Sequence, residues 1–131
     1  MFALDANAII HTMQGKGKVG ERVAAISPEL IAIPAPVLYE IERGLLGSEN
    51  QTRRRRQFSM LVGACRVLPF DEMAARTAAR IRRDLEARGL PIGPIDTLIA
   101  ATALAHGAIL VTHNVREFER VAGLIVEDWF D

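Results

Sequence analysis

The sequence predicts an α/β fold in three layers, α/β/α, with a central, mostly parallel sheet of four to five strands. Three observations predict it. Short apolar runs recur along the chain and alternate with segments of helical periodicity, the pattern of strands joined by helical crossovers. The length, 131 residues and 14.4 kDa, is that of one ordinary domain spanning residues 1–131. A chain of that mass buries about two-thirds of its extended surface, enough for a core without staples. Finally, 50% of the residues are hydrophobic and 24% charged, which excludes a disordered chain.

The elements follow in order. Phe2 to Leu4 is the first apolar run, and a helix begins near Ala6, with Asp5 placed to cap it. Val19, Val23 and Ile26 recur at spacings of four and three before Pro28 ends that segment. Ile31 to Ile33 is the second run, followed by a helix whose apolar stripe is Val37, Leu38, Ile41 and Leu45. Arg53 to Arg56 form a basic block at an exposed helix end before Phe58, Leu61 and Val62. Val67 to Leu68 is the third run. Ala74, Ala78, Ile81 and Leu85 then repeat at four, three and four, with Arg76, Arg80, Arg83 and Glu86 on other faces and Gly89 as the stop. A helix over Ile95 to Ala105 starts behind Pro94, suited to a first turn, and ends at Gly107. Ile109 to Val111 is the fourth run, and Leu124 to Glu127 is a fifth that closes the chain.

Several function classes are excluded. The single Cys65 forms no internal disulfide and reads as a small core residue, in keeping with a reducing compartment. The most apolar region, Leu98 to Thr112, is interrupted by Thr102, His106 and Gly107 and is too short to span a bilayer. The N-terminus lacks a basic segment, and Asp5 breaks its apolar start, so the expectation is a cytoplasmic protein with no membrane partner. His11, His106 and His113 are too far apart for a structural zinc site, and a phosphate-cradling Gly-rich loop and a nucleophile elbow are both lacking. Sixteen Lys and Arg balance sixteen Asp and Glu, so net charge gives no hint of a nucleic-acid partner.

Parallel sheets place their ligand sites outside the carboxyl ends of the strands. Asp5 and Asn7 follow the first run, and Glu40 and Glu42 lie in the helix after the second. Asp96 occupies the first turn of the Ile95 helix, and Thr112, His113 and Asn114 follow the fourth run. Carboxylates that converge on one rim repel one another, so they call for a cation or a proton. Hard oxygen ligands at an accessible rim suit Mg²⁺ or Mn²⁺, which leaves metal-assisted hydrolysis as the surviving chemistry. Each residue also has a structural reading: Asp5 as a cap, Asp96 as a partner of its helix dipole, Glu40 as a solvated helix residue. Spacing alone does not choose between Glu40 and Glu42, since the apolar stripe leaves both at its margins.

Leu4-Asp5-Ala6-Asn7, Glu40 with Gly44, Ile95-Asp96-Thr97-Leu98-Ile99-Ala100-Ala101, Leu110-Val111-Thr112-His113-Asn114, Glu117-Phe118 and Trp129 stand in the order and at the separations of one known family. Over nearly its whole length the chain resembles the PIN-domain ribonucleases, specifically the VapC-type toxins of bacterial toxin–antitoxin pairs. The resemblance implies a PIN-like fold and hydrolysis of RNA phosphodiester bonds, leaving a 5′-phosphate and a 3′-hydroxyl, with transfer RNA a family-level substrate. It favours Glu40 over Glu42. It implies that Asp5 and Asp96 hold Mg²⁺, for which Mn²⁺ can substitute, and that Glu40 binds the metal or orients the attacking water. Asn7, Thr112 and Asn114 then position ligands and waters from behind. Two positions depart from the family pattern: Ala6 replaces a hydroxyl residue, and Asn114 stands where PIN domains often carry Asp. Glu119, one turn further on, is the candidate to supply the missing charge. The resemblance also implies a cognate VapB-type antitoxin, a homodimer and a toxin–antitoxin hetero-oligomer. Arg53, Arg54, Arg55 and Arg56 are candidates to contact either the RNA or the antitoxin. The alternative is a non-catalytic PIN scaffold that binds RNA or a protein partner, with Asn114 as its mark of decay.

Overall fold

Five strands, β1 (Phe2–Leu4), β2 (Ile31–Pro34), β3 (Arg66–Leu68), β4 (Ile109–Val111) and β5 (Val126–Glu127), form one sheet in the order β3-β2-β1-β4-β5. Every pairing is parallel. These observations come from a computed structural model that describes residues 1–49 and 51–130. Among the described residues seven α-helices connect and flank the strands: α1 (Ala6–Gln14), α2 (Val19–Ala24), α3 (Ala35–Leu46), α4 (Gln51–Ala64), α5 (Glu72–Ala87), α6 (Pro94–Ala105) and α7 (Val115–Phe118). α2 stops at Ala24, short of Ile26 and so earlier than the expected end at Pro28, which instead opens a short 3₁₀ turn, Pro28–Leu30, that leads into β2. The strand expectations hold with shifts of a residue at β2 and β3. The last strand is shorter than Leu124 to Glu127: Gly123 turns the chain at φ +83°, and the Leu124 N–H bonds back to the Val121 carbonyl, so the ladder starts later.

Local chemistry sets the helix ends. The Asp5 carboxylate accepts from the Ala6 N–H at 2.8 Å and starts α1. Gly15, at φ +65°, ends it with its N–H directed at the last-turn carbonyls, a backbone conformation that costs glycine nothing. Asp71 caps α5 through the Ala74 N–H at 3.0 Å, and Pro94 opens α6. α6 is buried around most of its circumference, which its run of small residues permits; Ile99, Ala100, Ala101, Thr102 and Ala103 are all buried. Its two buried hydroxyls are satisfied within the helix, Thr97 on the Gly93 carbonyl at 2.9 Å and Thr102 on the Leu98 carbonyl at 2.7 Å.

Leu4, Ile9, Ile33, Val37, Ile99, Leu110 and Phe118 lie at the centre of one buried apolar cluster. Trp129, near the C-terminus, stacks on Phe2 at 5.0 Å and donates to Glu127, tying the chain end to the sheet. Cys65 is half-buried and packs against the core. No helix among the described residues is long and apolar enough to cross a membrane.

Candidate active site

β1 is the central strand. The chain builds outward from it to β2 and β3, then returns to its other side with β4. The crevice between β1 and β4 is therefore the topological switch point, where open α/β sheets bind their ligands. Register places the first two site residues there. Leu4 pairs with Val111, and the Asp5 N–H reaches the Val111 carbonyl at 3.0 Å, so the next rung brings Asp5 beside Thr112. The Thr112 hydroxyl donates to Asp5 Oδ2 at 2.7 Å and accepts from the Asn114 N–H at 3.0 Å. Thr112 is completely buried and Asp5 is only 6% exposed. Burial pushes the Asp5 carboxyl above its ordinary value, while the Thr112 hydroxyl and the Ala6 N–H pull it back down. Asp5 is thus at once the cap of α1 and a fixed carboxylate in the crevice.

Asp96 enters from the first turn of α6 and Glu40 from the middle of α3. Burial first, then the charges of Asp5 and Glu117, push the Asp96 carboxyl up from 3.8 to about 6. Burial, then Asp5 and Asp96, also raise Glu40, against a smaller opposing pull from Arg43. Asp5, Glu40 and Asp96 therefore share one electrostatic site, as the sequence suggests. Glu42 does not join it, because it pairs with Arg55 on α4 at 2.8 Å.

The fourth polar position differs from expectation. Glu119 is exposed, whereas the neighbour that acts on Asp96 is Glu117, two residues earlier. The Asn114 amide donates to Glu117 Oε2 at 3.0 Å and holds that carboxylate toward the cluster. Asn114 thus supplies no charge of its own, but it orients a residue that does. The available sequence signal was the spacing Asn114-x-x-Glu117, in the manner of a helix-start pair. Asn7 is exposed and borders a cavity beside Glu40. His113, the residue between Thr112 and Asn114, turns outward to Asp128 at 3.2 Å.

The arginine block divides. Arg53 and Arg54 line that cavity, of about 560 Å³, together with Asn7 and Glu40; Ile10 and Met13 are among its apolar surfaces. Arg55 is committed to Glu42, and Arg56 is exposed without lining the cavity. Four consecutive arginines therefore have three different surroundings.

The donor set fits a hard divalent cation. Carboxylates crowded until their proton affinities rise are relieved by a positive charge among them. No three acidic, histidine or cysteine side chains among the described residues enclose a common point closely enough to ligate one ion. Mg²⁺ does not require this, since it keeps several waters and takes one or two carboxylates together with substrate phosphate oxygens. Asp5 and Asp96 could serve as direct ligands, with Glu40 and Glu117 acting through water. A Cβ on Gly93 would stand 3.4 Å from Asp96 Oδ2, so glycine there keeps the approach to that carboxylate open.

Comparison with known proteins gives a consistent picture. The PIN domain family matches residues 2–124. The chain is 38% identical over 129 residues to the "tRNA(fMet)-specific endonuclease VapC" of Shigella flexneri, covering 98% of this chain and 97% of that one. Among solved structures, the DNA-bound VapBC of Salmonella typhimurium superposes with a TM-score of 0.90 at 33% identity, over 98% of this chain and 97% of that chain. VapBC2 of Rickettsia felis, bound to a DNA fragment from its promoter, gives the same TM-score of 0.90 at 28% identity, over 98% of each chain.

Proposed function

The chain belongs to the PIN domain family, and from that premise we propose that it is a VapC-type ribonuclease, the toxin of a toxin–antitoxin pair, which hydrolyses RNA phosphodiester bonds. Likeness across the full length to named ribonucleases and to VapBC complexes supports both the activity and a VapB-type antitoxin as partner. Activity requires Mg²⁺, with Mn²⁺ as a substitute. When bound, the metal supplies Lewis-acid polarisation of the scissile phosphate and a water acidic enough to attack near neutral pH.

The chain's own residues do the rest. Asp5 is held in one orientation by the Thr112 hydroxyl and the Ala6 N–H, so it presents fixed oxygen lone pairs to a ligand without reorganisation. Asp96 would be the second ligand, and Asn114 steadies Glu117, whose charge acts on it. Glu40, which lines the cavity, orients the attacking water and takes up its proton; its raised proton affinity suits that task. Thr112 links Asp5 to the start of α7, so a single buried hydroxyl keeps two parts of the site in register.

The observation that carries the proposal is the gathering of Asp5, Glu40 and Asp96, carboxyls from three separate elements, near the switch point between β1 and β4, with Asp5 fixed there by Thr112. The test is cleavage of end-labelled total transfer RNA by the purified protein with Mg²⁺, with Mn²⁺ and with chelator. Cleavage is expected only with metal, and Asp96→Asn and Glu40→Gln should each reduce it at least a hundredfold. Undiminished cleavage in chelator would defeat the metal assignment. An absence of cleavage under every condition would favour a scaffold that binds without cutting. Asp96 and Glu40 are preferred to Asp5 for this test because Asp5 also caps α1, and its loss costs about 1 kcal/mol of stability.

A further inference from the structure

The N-terminus of α4 runs against helix chemistry. The positive end of a helix dipole favours acidic side chains, yet α4 carries no acid in its first turn and has arginine at positions 53 to 56. Arg53 and Arg56 are three residues apart on the helix, where like charges repel. One of the four is neutralised, Arg55 by Glu42. Arg53 and Arg54 have no hydrogen bond or ion pair with any described residue, and both border the cavity that opens beside Glu40. Locally unfavourable charge with no internal partner marks a functional position more often than a structural one.

The cavity itself is two-sided. Its volume, about 560 Å³, falls within the common range for ligand sites. One wall carries the two guanidiniums and Gln57, while the other presents Ile10 on α1, 37% exposed, beside Met13. Asn7 and Glu40 join it directly to the carboxylate cluster. A ligand that matches this lining brings negative charge to the arginines and an apolar group to Ile10 and Met13, while remaining continuous with the bond being cut. A nucleotide of single-stranded RNA meets all three conditions, because guanidinium planes both pair with phosphate and stack on splayed bases.

We propose that the cavity between α1, α3 and α4 is a nucleotide subsite, in which Arg53 and Arg54 bind the RNA phosphates next to the scissile one and the adjoining base lies against Ile10 and Met13. The inference rests on the ribonuclease reading above and deepens it. The arginines grip substrate that is already one strand with the reacting phosphate, so they contribute binding rather than chemistry.

The experiment compares Arg53→Gln/Arg54→Gln with the wild type and with Arg66→Gln/Arg83→Gln, which removes the same charge from β3 and α5. Initial rates on end-labelled total transfer RNA are measured across a range of salt, with melting curves as the folding control. The subsite variant should raise KM at least tenfold while kcat changes less than threefold. Its log(kcat/KM) should depend less steeply on log[salt], by about 0.7 for each phosphate that an arginine no longer neutralises. The control variant should match the wild type in KM within a factor of two. Wild-type KM and salt slope in the subsite variant would overturn the inference while leaving the ribonuclease reading intact. So would a variant that cuts RNA normally but fails to hold its co-expressed antitoxin, since the cavity would then be a protein-binding surface. Failure of the wild type to cut RNA at all would overturn both.

Discussion

Replacing Asp96 by Asn should abolish cleavage and make the protein more stable, with a dependence on pH that identifies the cause. The Asp96 carboxyl is displaced from 3.8 to about 6 by burial and by the charges of Asp5 and Glu117. The folded protein therefore holds that proton more tightly than the unfolded chain does, and carries the excess proton between pH 3.8 and about 6. Stability falls as pH rises through that window and stays low above it. A displacement of this size corresponds to about 3 kcal/mol for a fully shielded group. Asp96 is only partly buried, so solvent screening leaves about 1.5 kcal/mol. The ionised side chain recovers about 0.5 kcal/mol from the dipole of α6, which Asn forgoes. The net gain for Asp96→Asn at pH 7.5 without divalent metal is then about 1 kcal/mol, or about 3–5 °C in Tm for a chain of this length. At pH 4 the gain should vanish, because the wild-type carboxyl is then largely protonated. Thermal melts of both proteins at the two pH values, each with chelator and with Mg²⁺, measure all of this. Mg²⁺ should raise the wild-type Tm and reverse the order at pH 7.5. A variant less stable than wild type at pH 7.5, or a gain of equal size at pH 4, would refute the argument from like-charge crowding.

Other changes probe other parts of the same structure. Thr112→Val leaves Asp5 Oδ2 and the Asn114 N–H without their shared partner and should cost about 1–3 kcal/mol in denaturant unfolding. The same change removes a bond that holds the Asp5 carboxyl down, so the acid limb of the activity–pH profile should move to higher pH; Thr112→Ser should restore it. Glu117→Gln should lower kcat at least tenfold and raise the Mg²⁺ concentration needed for half-maximal activity, whereas Glu119→Gln should change either by less than threefold; equal effects would undo the distinction drawn between them. Leu110→Ala, which truncates a fully buried side chain in the middle of β4, should cost about 2–5 kcal/mol by urea denaturation.

Asp5 and Thr112 were legible in the sequence because the rule that places ligand sites at strand ends needs only the position of the strands, and the apolar runs at Phe2 to Leu4 and Ile109 to Val111 are unambiguous. Asp96 follows no strand and was singled out by its place in the first turn behind Pro94 and by the family resemblance. Glu40 was not separable from Glu42 by periodicity, since both flank the same apolar stripe. The difference between them is a long-range contact, Arg55 on the next helix, which only the fold supplies. Glu117 escaped for a different reason. α7 spans four residues, too few for a periodicity that says which way a side chain points, and buried Phe118 separates two glutamates of similar local character. The arginine block read as one patch because composition carries no direction. A helix turns successive side chains by about 100°, so neighbours in sequence take different surroundings.

The zero net charge, uninformative at the outset, has a physical content once its parts are located. Carboxylates from the end of β1, from α3 and from α6 crowd at the switch point, and burial, with neighbouring charge at the last two, raises their proton affinities. Across the cavity that Glu40 lines, the start of α4 bears a cost of opposite sign, Arg53 and Arg54 at the positive end of a helix dipole with no ion pair among the described residues. Left alone, the two could have cancelled each other through ion pairs, as the neighbouring Glu42 and Arg55 do. They do not: neither Arg53 nor Arg54 pairs with Glu40, although all three border the same space. Separated charges of both signs, each uncompensated, are relieved together by a ligand that brings a cation to one and an anion to the other. A phosphodiester strand with a divalent metal at one of its phosphates has that composition. Removing the metal and removing the arginines should therefore weaken RNA binding by different routes, one lost in chelator and the other in salt.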